Sequence, residues 1–552
     1  MIRITEIRLP VGHAPEALEE AVLKRLHLQP ADLISFEMYK RSYDARKNTT
    51  LSFIYTVDLV VENEDRVLEQ FADDIHVGPS PDTSYHFVAD AQQIVPHVNA
   101  PTFLRPVVIG FGPCGIFAAL ILAQMGLKPI VLERGKQVRE RTQDTWALWR
   151  KNVLNPESNV QFGEGGAGTF SDGKLYSQIK DPKFYGRKVI HEFIRAGAPE
   201  EIKYVAKPHI GTFRLVGVVE KMRQEMIELG GEIRFSQKVV GFDIENQQIK
   251  GLKIQGIQGT QGMQEVAENE YLKANHVILA LGHSARDTFE ALHDAGVFME
   301  SKPFSVGFRI EHPQSLIDKA RLGPHAGNEY TGAADYKLVY HASNGRSVYS
   351  FCMCPGGTVV AATSEPNRVV TNGMSQYSRN ERNANAGIVV GITPEDYPGG
   401  PLAGIEFQRA LESKAYEMGG STYEAPGQLV GDFLEGKPST EFGSVMPSYK
   451  PGVHLTDLAD SLPPYAIEAI REAIPAFEKQ IKGFSIKDAV LTGIETRTSS
   501  PLRITRDVNF QSMNVKGLYP AGEGAGYAGG ILSAGVDGIK VAEAVALSIL
   551  SK

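Results

Sequence analysis

Three textures of apolar and polar positions succeed one another along the chain. At the start, Ile2, Ile4, Ile7 and Leu9 form a short alternating run, and 34–43 and 51–61 alternate over a greater length, which predicts strands with one buried face. Leu18, Val22 and Leu26 repeat at helical spacing within 14–26, and a second helix is expected near 66–71. This β-α-β-β-α order predicts a small ferredoxin-like α+β domain over 1–95, with 79–101 as the linker out of it.

The second texture consists of short, continuously apolar runs at 106–109, 129–132 and 277–281, the pattern of parallel strands buried on both faces. A helix over 218–229, a Gly-Gly turn and a strand over 232–240 keep the same rhythm, whereas the Gln- and Gly-rich 256–262 reads as an exposed hairpin. From about 303 the texture changes again. Alternating strands at 304–311, 337–341, 347–354 and 359–364 follow without the α/β rhythm, which predicts a mainly antiparallel insert. After 517 the α/β pattern returns and ends in an apolar helix. The fold class expected is α/β: a discontinuous Rossmann-like domain over 102–300 and 488–552, a mainly antiparallel α+β insert over 301–487, and the small N-terminal domain.

The turn after the first apolar run carries chemistry. Gly110 permits a tight exit from the strand, Gly112 lets the backbone approach a pyrophosphate, and Gly115 lets the following helix pack closely on the sheet. The helix beginning at Pro113 and Cys114 points free N–H groups and its positive dipole end at the phosphates, and Gly126 is a natural stop. Glu133, beside Arg134, lies about 20 residues on, at the end of the next strand, where its carboxylate accepts from ribose hydroxyls. Strand, glycines, helix, strand and acid in register predict a bound dinucleotide.

Composition narrows the class. The chain has 552 residues, 42% hydrophobic and 22% charged, a net charge of −8 and three cysteines. That size calls for several domains, the acidic balance argues against nucleic acid as the main partner, and so few cysteines fit a reducing compartment. No signal-peptide core and no bilayer-length apolar run is visible, so a cytoplasmic location is expected. No metal site is expected, and a homo-oligomer is compatible with the sequence. Gly168 to Lys174 has P-loop spacing, but Leu175 stands where a Ser or Thr should hold Mg²⁺ and no buried strand precedes it. It reads instead as a loop along a cofactor, with Gly165, Gly166, Gly168, Thr169, Ser171 and Lys174 facing it.

Four blocks then carry a resemblance: Gly110–Glu133, the Gly163–Lys174 loop, Ala280-Leu281-Gly282, and the C-terminal Tyr519–Glu523 with Gly529-Gly530-Ile531. Together they resemble FAD-dependent oxidoreductases of the glutathione-reductase-like FAD/NAD(P)-binding superfamily. With the N-terminal domain and residues 349–387, they resemble a group of bacterial FAD-dependent dehydrogenases. The resemblance implies FAD along the carboxyl edge of the sheet. Pyrophosphate would lie at Gly112–Gly115, ribose on Glu133, adenine against Val239, and Glu523, next to Gly522, at the pyrophosphate or ribityl end.

Substrate chemistry should come from the insert. Cys352 and Cys354, two apart on a predicted strand, put both thiols on one face; they read as cavity-lining residues or as a redox pair whose bridge would be strained. Asn372 belongs to an amide-rich run and reads as a turn with Gly373 or as a substrate-orienting group. Arg497 is a candidate carboxylate clamp or the partner of Glu495, and His283 and His209 are candidate acid–base groups. No second dinucleotide fingerprint is visible, so electrons are expected from a small organic substrate by hydride transfer to flavin N5. Two alternatives stand beside this reading: an RNA-modifying or RNA-associated flavoprotein using the basic, aromatic stretch 39–47, and a flavin sensor without turnover.

Overall fold

The computed structural model describes residues 1–44, 51–258, 265–266 and 269–551. The N-terminal sheet runs in the order Leu33–Asp44, Ser52–Val61, Ile2–Pro10, Val77–Pro79, with every pair antiparallel. Its burial follows the sequence alternation strictly in Ser52–Val61. In the first strand the apolar spacing slips from two to three between Ile4 and Ile7. The chain absorbs the extra residue as a bulge with Glu6 at φ 60°, so Ile2, Ile4 and Ile7 all reach the core. Helix Ala17–Leu26 lays Leu18, Val22 and Leu26 on that face.

The stretch read as a linker carries structure. Val77–Pro79 completes the sheet, and Ala91–Val98 is a helix closed by a capping box between Asp90 and Gln93. The basic, aromatic stretch 39–47 falls partly outside the described residues. Its described part docks on the next domain: the Arg41 N–H donates to the Tyr204 carbonyl at 2.6 Å, and the Tyr39 ring sits between the guanidiniums of Arg3 and Arg187.

The central sheet is parallel throughout, in the order Leu518–Pro520, Val277–Leu279, Val107–Ile109, Ile130–Leu132, Glu232–Arg234. Two helices pack against each other beside it, Pro113–Gln124 and Ile531–Leu550. They meet at Gly538, where an added Cβ would lie 2.3 Å from the Cys114 carbonyl oxygen. The predicted strand 232–240 is two strands. Ser236 takes a left-handed φ of 54°, and the chain leaves the parallel sheet for an antiparallel one built on Gln237–Glu245, Gln248–Gln258 and Glu270–Lys273. Of the stretch 256–262 expected as an exposed hairpin, 256–258 belong to strand Gln248–Gln258, and 259–262 lie outside the described residues.

The insert is a seven-stranded sheet in the order Val339–His341, Ser347–Cys354, Asn383–Ile392, Phe304–Pro313, Val490–Glu495, Ala425–Leu429, Val453–Leu455, antiparallel except for the last pair. Helix Pro464–Glu478 covers one face with Ile467, Ile470, Ile474 and Phe477. The boundary expected at 488 is corrected here. Val490–Glu495 is fully buried as the neighbour of Phe304–Pro313, so the chain re-enters the central domain only after it.

The helix contact at Gly538 yields a test. Gly538→Ala should cost about 1–3 kcal/mol through forced separation of the two helices, read as a lower denaturation midpoint; an unchanged midpoint would show that the packing is not tight there.

Candidate functional site

The central strands end flush: Ile109 pairs with Leu132 and with Leu279, and Leu279 pairs with Pro520. Equal strand ends place Gly110, Glu133, Ala280 and Ala521 side by side at the carboxyl edge, the place where open α/β sheets hold their ligands. The glycines there are demanded by backbone, not by flexibility. Gly110, at φ +97°, would drive a Cβ to 2.6 Å from the Ala280 carbonyl oxygen, and Gly115 would drive one to 1.9 Å from the Gly110 oxygen. By contrast, a Cβ on Gly282, Gly529 or Gly530 would meet open space. Gly112 and Gly530 cap the two helices, whose first N–H groups have no partner within the helix.

Glu133 is nearly buried and accepts three backbone N–H groups, from Phe111 and Gly135 at 2.8 Å and from Gly163 at 3.0 Å. It therefore ties the first glycine turn to the second. A carboxylate has about four acceptor positions, which leaves one for a ribose hydroxyl.

The second glycine loop is built around a residue the sequence reading did not single out. Arg141, from helix Val138–Lys151, is fully buried and gives its five donors to the carbonyls of Asn159, Val160, Gly163, Glu164 and Gly166, at 2.6–3.3 Å. No carboxylate touches it in this set. Burial pulls its pKa down to about 10, with Glu133 and Glu164 opposing that shift, so it stays charged at neutral pH. By turning the loop's carbonyls inward, Arg141 leaves the loop's N–H side toward Glu133 and the sheet edge.

Several expected cofactor contacts are redirected. Arg134 is spent on Asp287, at 2.8 and 3.0 Å, and on Glu157, at 2.7 Å, because at the end of its strand it faces their carboxylates and lies over the Phe162 ring. The Thr169 and Ser171 hydroxyls donate to the Glu164 and Gly168 carbonyls, closing the short helix Gly166–Phe170. Cys114 packs beneath Gly522, and burial pushes its thiol up. Val239 is buried in the core beneath the sheet. Lys174 bridges to the insert, donating to the Met353 carbonyl with Asp172 at 3.8 Å. Ile531 opens the closing helix.

On the insert side, Arg309 organises what the sequence left scattered. It is fully buried and pairs bidentately with Glu495 at 2.7 and 3.0 Å. Its other donors go to the Cys352 carbonyl at 2.8 Å, the Asn372 side-chain oxygen at 3.1 Å and that of Asn385 at 3.2 Å. Asn372 is therefore no turn residue: Thr371–Ser375 is a strand, and its amide is held by Arg309. The signal was present in the sequence as a charge inside a long apolar strand, which only a buried partner makes tolerable.

Arg497 is corrected in the same way. Its partner is Glu412, at 3.0 and 3.1 Å, with Glu365 at 3.8 Å and hydrogen bonds to Ser284 and Ser364, so it offers no free fork to a substrate. Arg286 holds the same carboxylate from the central domain at 2.7 and 2.9 Å. Burial alone would raise Glu412, and the two guanidiniums overcome it and hold the carboxyl far below the usual range.

His283 lies 4.0 Å from Glu523. Burial, reinforced by Arg497 and Arg286, pulls it to about 3, so it is a neutral imidazole. His209 stacks on Tyr377 with its Nε2 3.0 Å from the Tyr377 carbonyl oxygen, a packing role. Glu523 is pushed up to about 7, by burial and by nearby Cys352, with Lys302 acting against the shift. Among the described residues no cluster of three or more His, Cys, Asp or Glu is placed to hold a metal, and no helix is long and apolar enough to cross a membrane.

Comparison with known proteins adds a family. The model of a family described as "FAD-dependent protein, C-terminal domain-like" matches residues 303–498, and a domain of unknown function matches 1–60. An uncharacterized protein of Clostridium beijerinckii is 46% identical over 547 residues, 98% of each chain. Solved structures with a similar fold include a geranylgeranyl bacteriochlorophyll reductase-like protein of Thermoplasma acidophilum (14% identity, 80% of this chain and 78% of that one, TM-score 0.34). They also include a mutant of halogenase PltM in complex with FAD (12% identity, 81% and 69%, TM-score 0.35). FAD is the cofactor of this chain, and the carboxyl edge fits it, with one free acceptor position on Glu133, two uncapped helix starts and glycines open toward the edge.

Two outcomes are expected. Arg141→Lys keeps the charge but brings three donors to five carbonyls; with about 1–3 kcal/mol per orphaned group, FAD affinity measured by fluorescence titration should fall at least about tenfold, and an unchanged affinity would remove Arg141 from the site. In protein stripped of FAD, Glu523 binds more protons folded than unfolded between its ordinary value and about 7, so stability falls as pH rises through that window. Glu523→Gln should abolish that part of the fall, checked by denaturation across pH 4.5–8.

Proposed function

The chain belongs to one family with the Clostridium beijerinckii protein, and from that premise and its FAD-dependent domain we propose that it is an FAD-dependent oxidoreductase. Its substrate is a small organic molecule, bound between the insert and the carboxyl edge of the central sheet. The observation that carries the reading is the convergence of both domains at one spot. Lys174 from the glycine loop and Glu523 from the turn after the last central strand each interact electrostatically with Cys352 from the insert sheet.

Each residue has a defined task in this reading. The N–H groups at the start of the helix after Gly112 bind the pyrophosphate, and Glu133 offers its remaining lone pair to the ribose. The helix opening at Gly530 presents donors and its positive end to the flavin, favouring the reduced, more negative form. When bound, FAD supplies the two-electron acceptor for a hydride. Lys174 and Lys302 supply positive potential around the substrate, and Glu523 holds a proton at its carboxyl at or below neutral pH. The buried strands Phe304–Pro313 and Val490–Glu495 exclude water from the insert side. The docking of Tyr39 and Arg41 against the central domain favours this reading over one in which the N-terminal domain recruits RNA.

Anaerobic mixing of the holoenzyme with a panel of metabolites, thiols and pyridine nucleotides is expected to bleach the flavin absorbance with at least one small organic reductant. Failure of every member would sink the enzyme in favour of a flavin-binding sensor. Gly112→Val, which places a side chain where the pyrophosphate approaches, should give a folded protein without flavin absorbance.

A further inference from the structure

Strand Ser347–Cys354 loses its register between Phe351 and Cys354, and Cys352 takes a left-handed φ of 42° at that break. A non-glycine residue holds such a conformation only when its surroundings impose it. Here they do: Arg309 donates to the Cys352 carbonyl at 2.8 Å, and the Cys354 S–H donates to the same oxygen at 3.3 Å. The break removes the geometry of a plain extended i, i+2 pair and turns the Cys354 thiol back onto the Cys352 backbone. Cys352 remains half-buried, whereas Cys354 is fully covered.

The charges around the pair do not balance without it. Arg309 from Phe304–Pro313 is matched by Glu495 from Val490–Glu495, and Arg379 from the loop before Asn383 is matched by Asp172 from the glycine loop. Lys174 shares Asp172, at 3.8 Å, and donates to the Met353 carbonyl that lies between the two cysteines. Glu523, with Lys302 beside it, holds a proton up to about neutral pH and does not serve as the missing anion below it. A buried cation needs a counter-charge, and of the groups acting on Lys174 the Cys352 sulfur comes first, ahead of Cys354, Asp172 and Tyr176. The neighbouring Cys354, then Lys174 and Arg309, favour the Cys352 thiolate against its burial, and Cys352 together with burial keeps Cys354 a thiol.

We propose that Cys352 and Cys354 are a redox-active dithiol coupled to FAD, and that the substrate class of this oxidoreductase is a small thiol. The proposal rests on the FAD-dependent reading above and names its substrate. In the first step, with the flavin available as the two-electron acceptor, the Cys352 thiolate and the Cys354 thiol would give up two electrons as one S–S bond forms; the single Cys354 proton leaves sulfur, and one proton from solvent completes the pair that accompanies the electrons. In the second, one substrate thiolate attacks the half-buried Cys352 sulfur and Cys354 leaves, taking a proton. A second substrate thiolate attacks the substrate sulfur of that mixed disulfide, releasing the substrate disulfide and the Cys352 thiolate beside Lys174. A thiolate held by a cation is the better leaving group, and a bridge across so short a chain segment is strained and readily reduced, as a catalytic rather than a structural disulfide should be.

The full-length holoenzyme provides the test. Air-oxidised protein titrated anaerobically with dithionite should take up two electron pairs per FAD, and Cys354→Ser one; mass spectrometry after alkylation should show 352 and 354 blocked before reduction and free after it. In the reduced protein, iodoacetamide should modify Cys352 at a rate nearly level from pH 6 to 9, while in Lys174→Met, folded by the criterion of its flavin spectrum, the rate should climb with pH as for an ordinary thiol. One electron pair in the wild type with both thiols alkylated from the outset overturns the dithiol. If a metabolite without a thiol then reduces the flavin, the oxidoreductase reading survives that failure. Two electron pairs with no substrate of any class reducing the flavin would instead leave the dithiol standing and remove the proposed turnover.

Discussion

A guanidinium carries five donors and a charge that is never shed, so burying one commits the surrounding backbone to meet all of it. Arg141, Arg286 and Arg309 are among the largest fully buried side chains of this protein, and each stands where the sheet edge or the insert has to be fixed. Arg141 gathers five carbonyls and thereby folds the second glycine loop. Arg309 gathers Glu495, two asparagine amides and the Cys352 carbonyl, and thereby sets the kink in the insert strand. Arg286, with Arg497, closes on Glu412 and fastens the insert to helix Arg286–Asp294, which follows the central strand Val277–Leu279.

The same constraint explains the electrostatics of the site. Once Arg309 and Arg379 have their carboxylates, Lys174 remains under-compensated in a half-dry space. Glu523 is held protonated to about neutral pH and His283 is held neutral, so neither offsets Lys174 in that range. The edge is thus prepared for negative charge, whether on a thiolate, on a reduced flavin or on both.

Much of the fold was legible from periodicity and glycines. The strand at 51–61 alternates as its burial does, and the fingerprint 110–133 forms the turn, helix and acid its spacing requires, because those positions are dictated by local backbone geometry. The misreadings share a cause. A strand over 232–240 was broken by one left-handed serine, Asn372-Gly373 became a strand, and Val490–Glu495 joined the insert because a partner strand distant in sequence claimed it. Local propensity cannot see a distant partner.

The candidate site divides along the same line. Sequence by itself determined the glycine turn at the sheet's carboxyl edge and the acid beside it, since glycines that must admit a backbone, and an acid at a fixed distance from them, are requirements a single chain segment states in full. Only the tertiary structure decided which charges pair. Arg134, Arg497 and Asn372 looked free because their partners lie far along the chain, and Arg141 and Arg309 looked unremarkable for the same reason. A buried charge is specified by what surrounds it in space, and that surrounding is assembled from segments hundreds of residues apart.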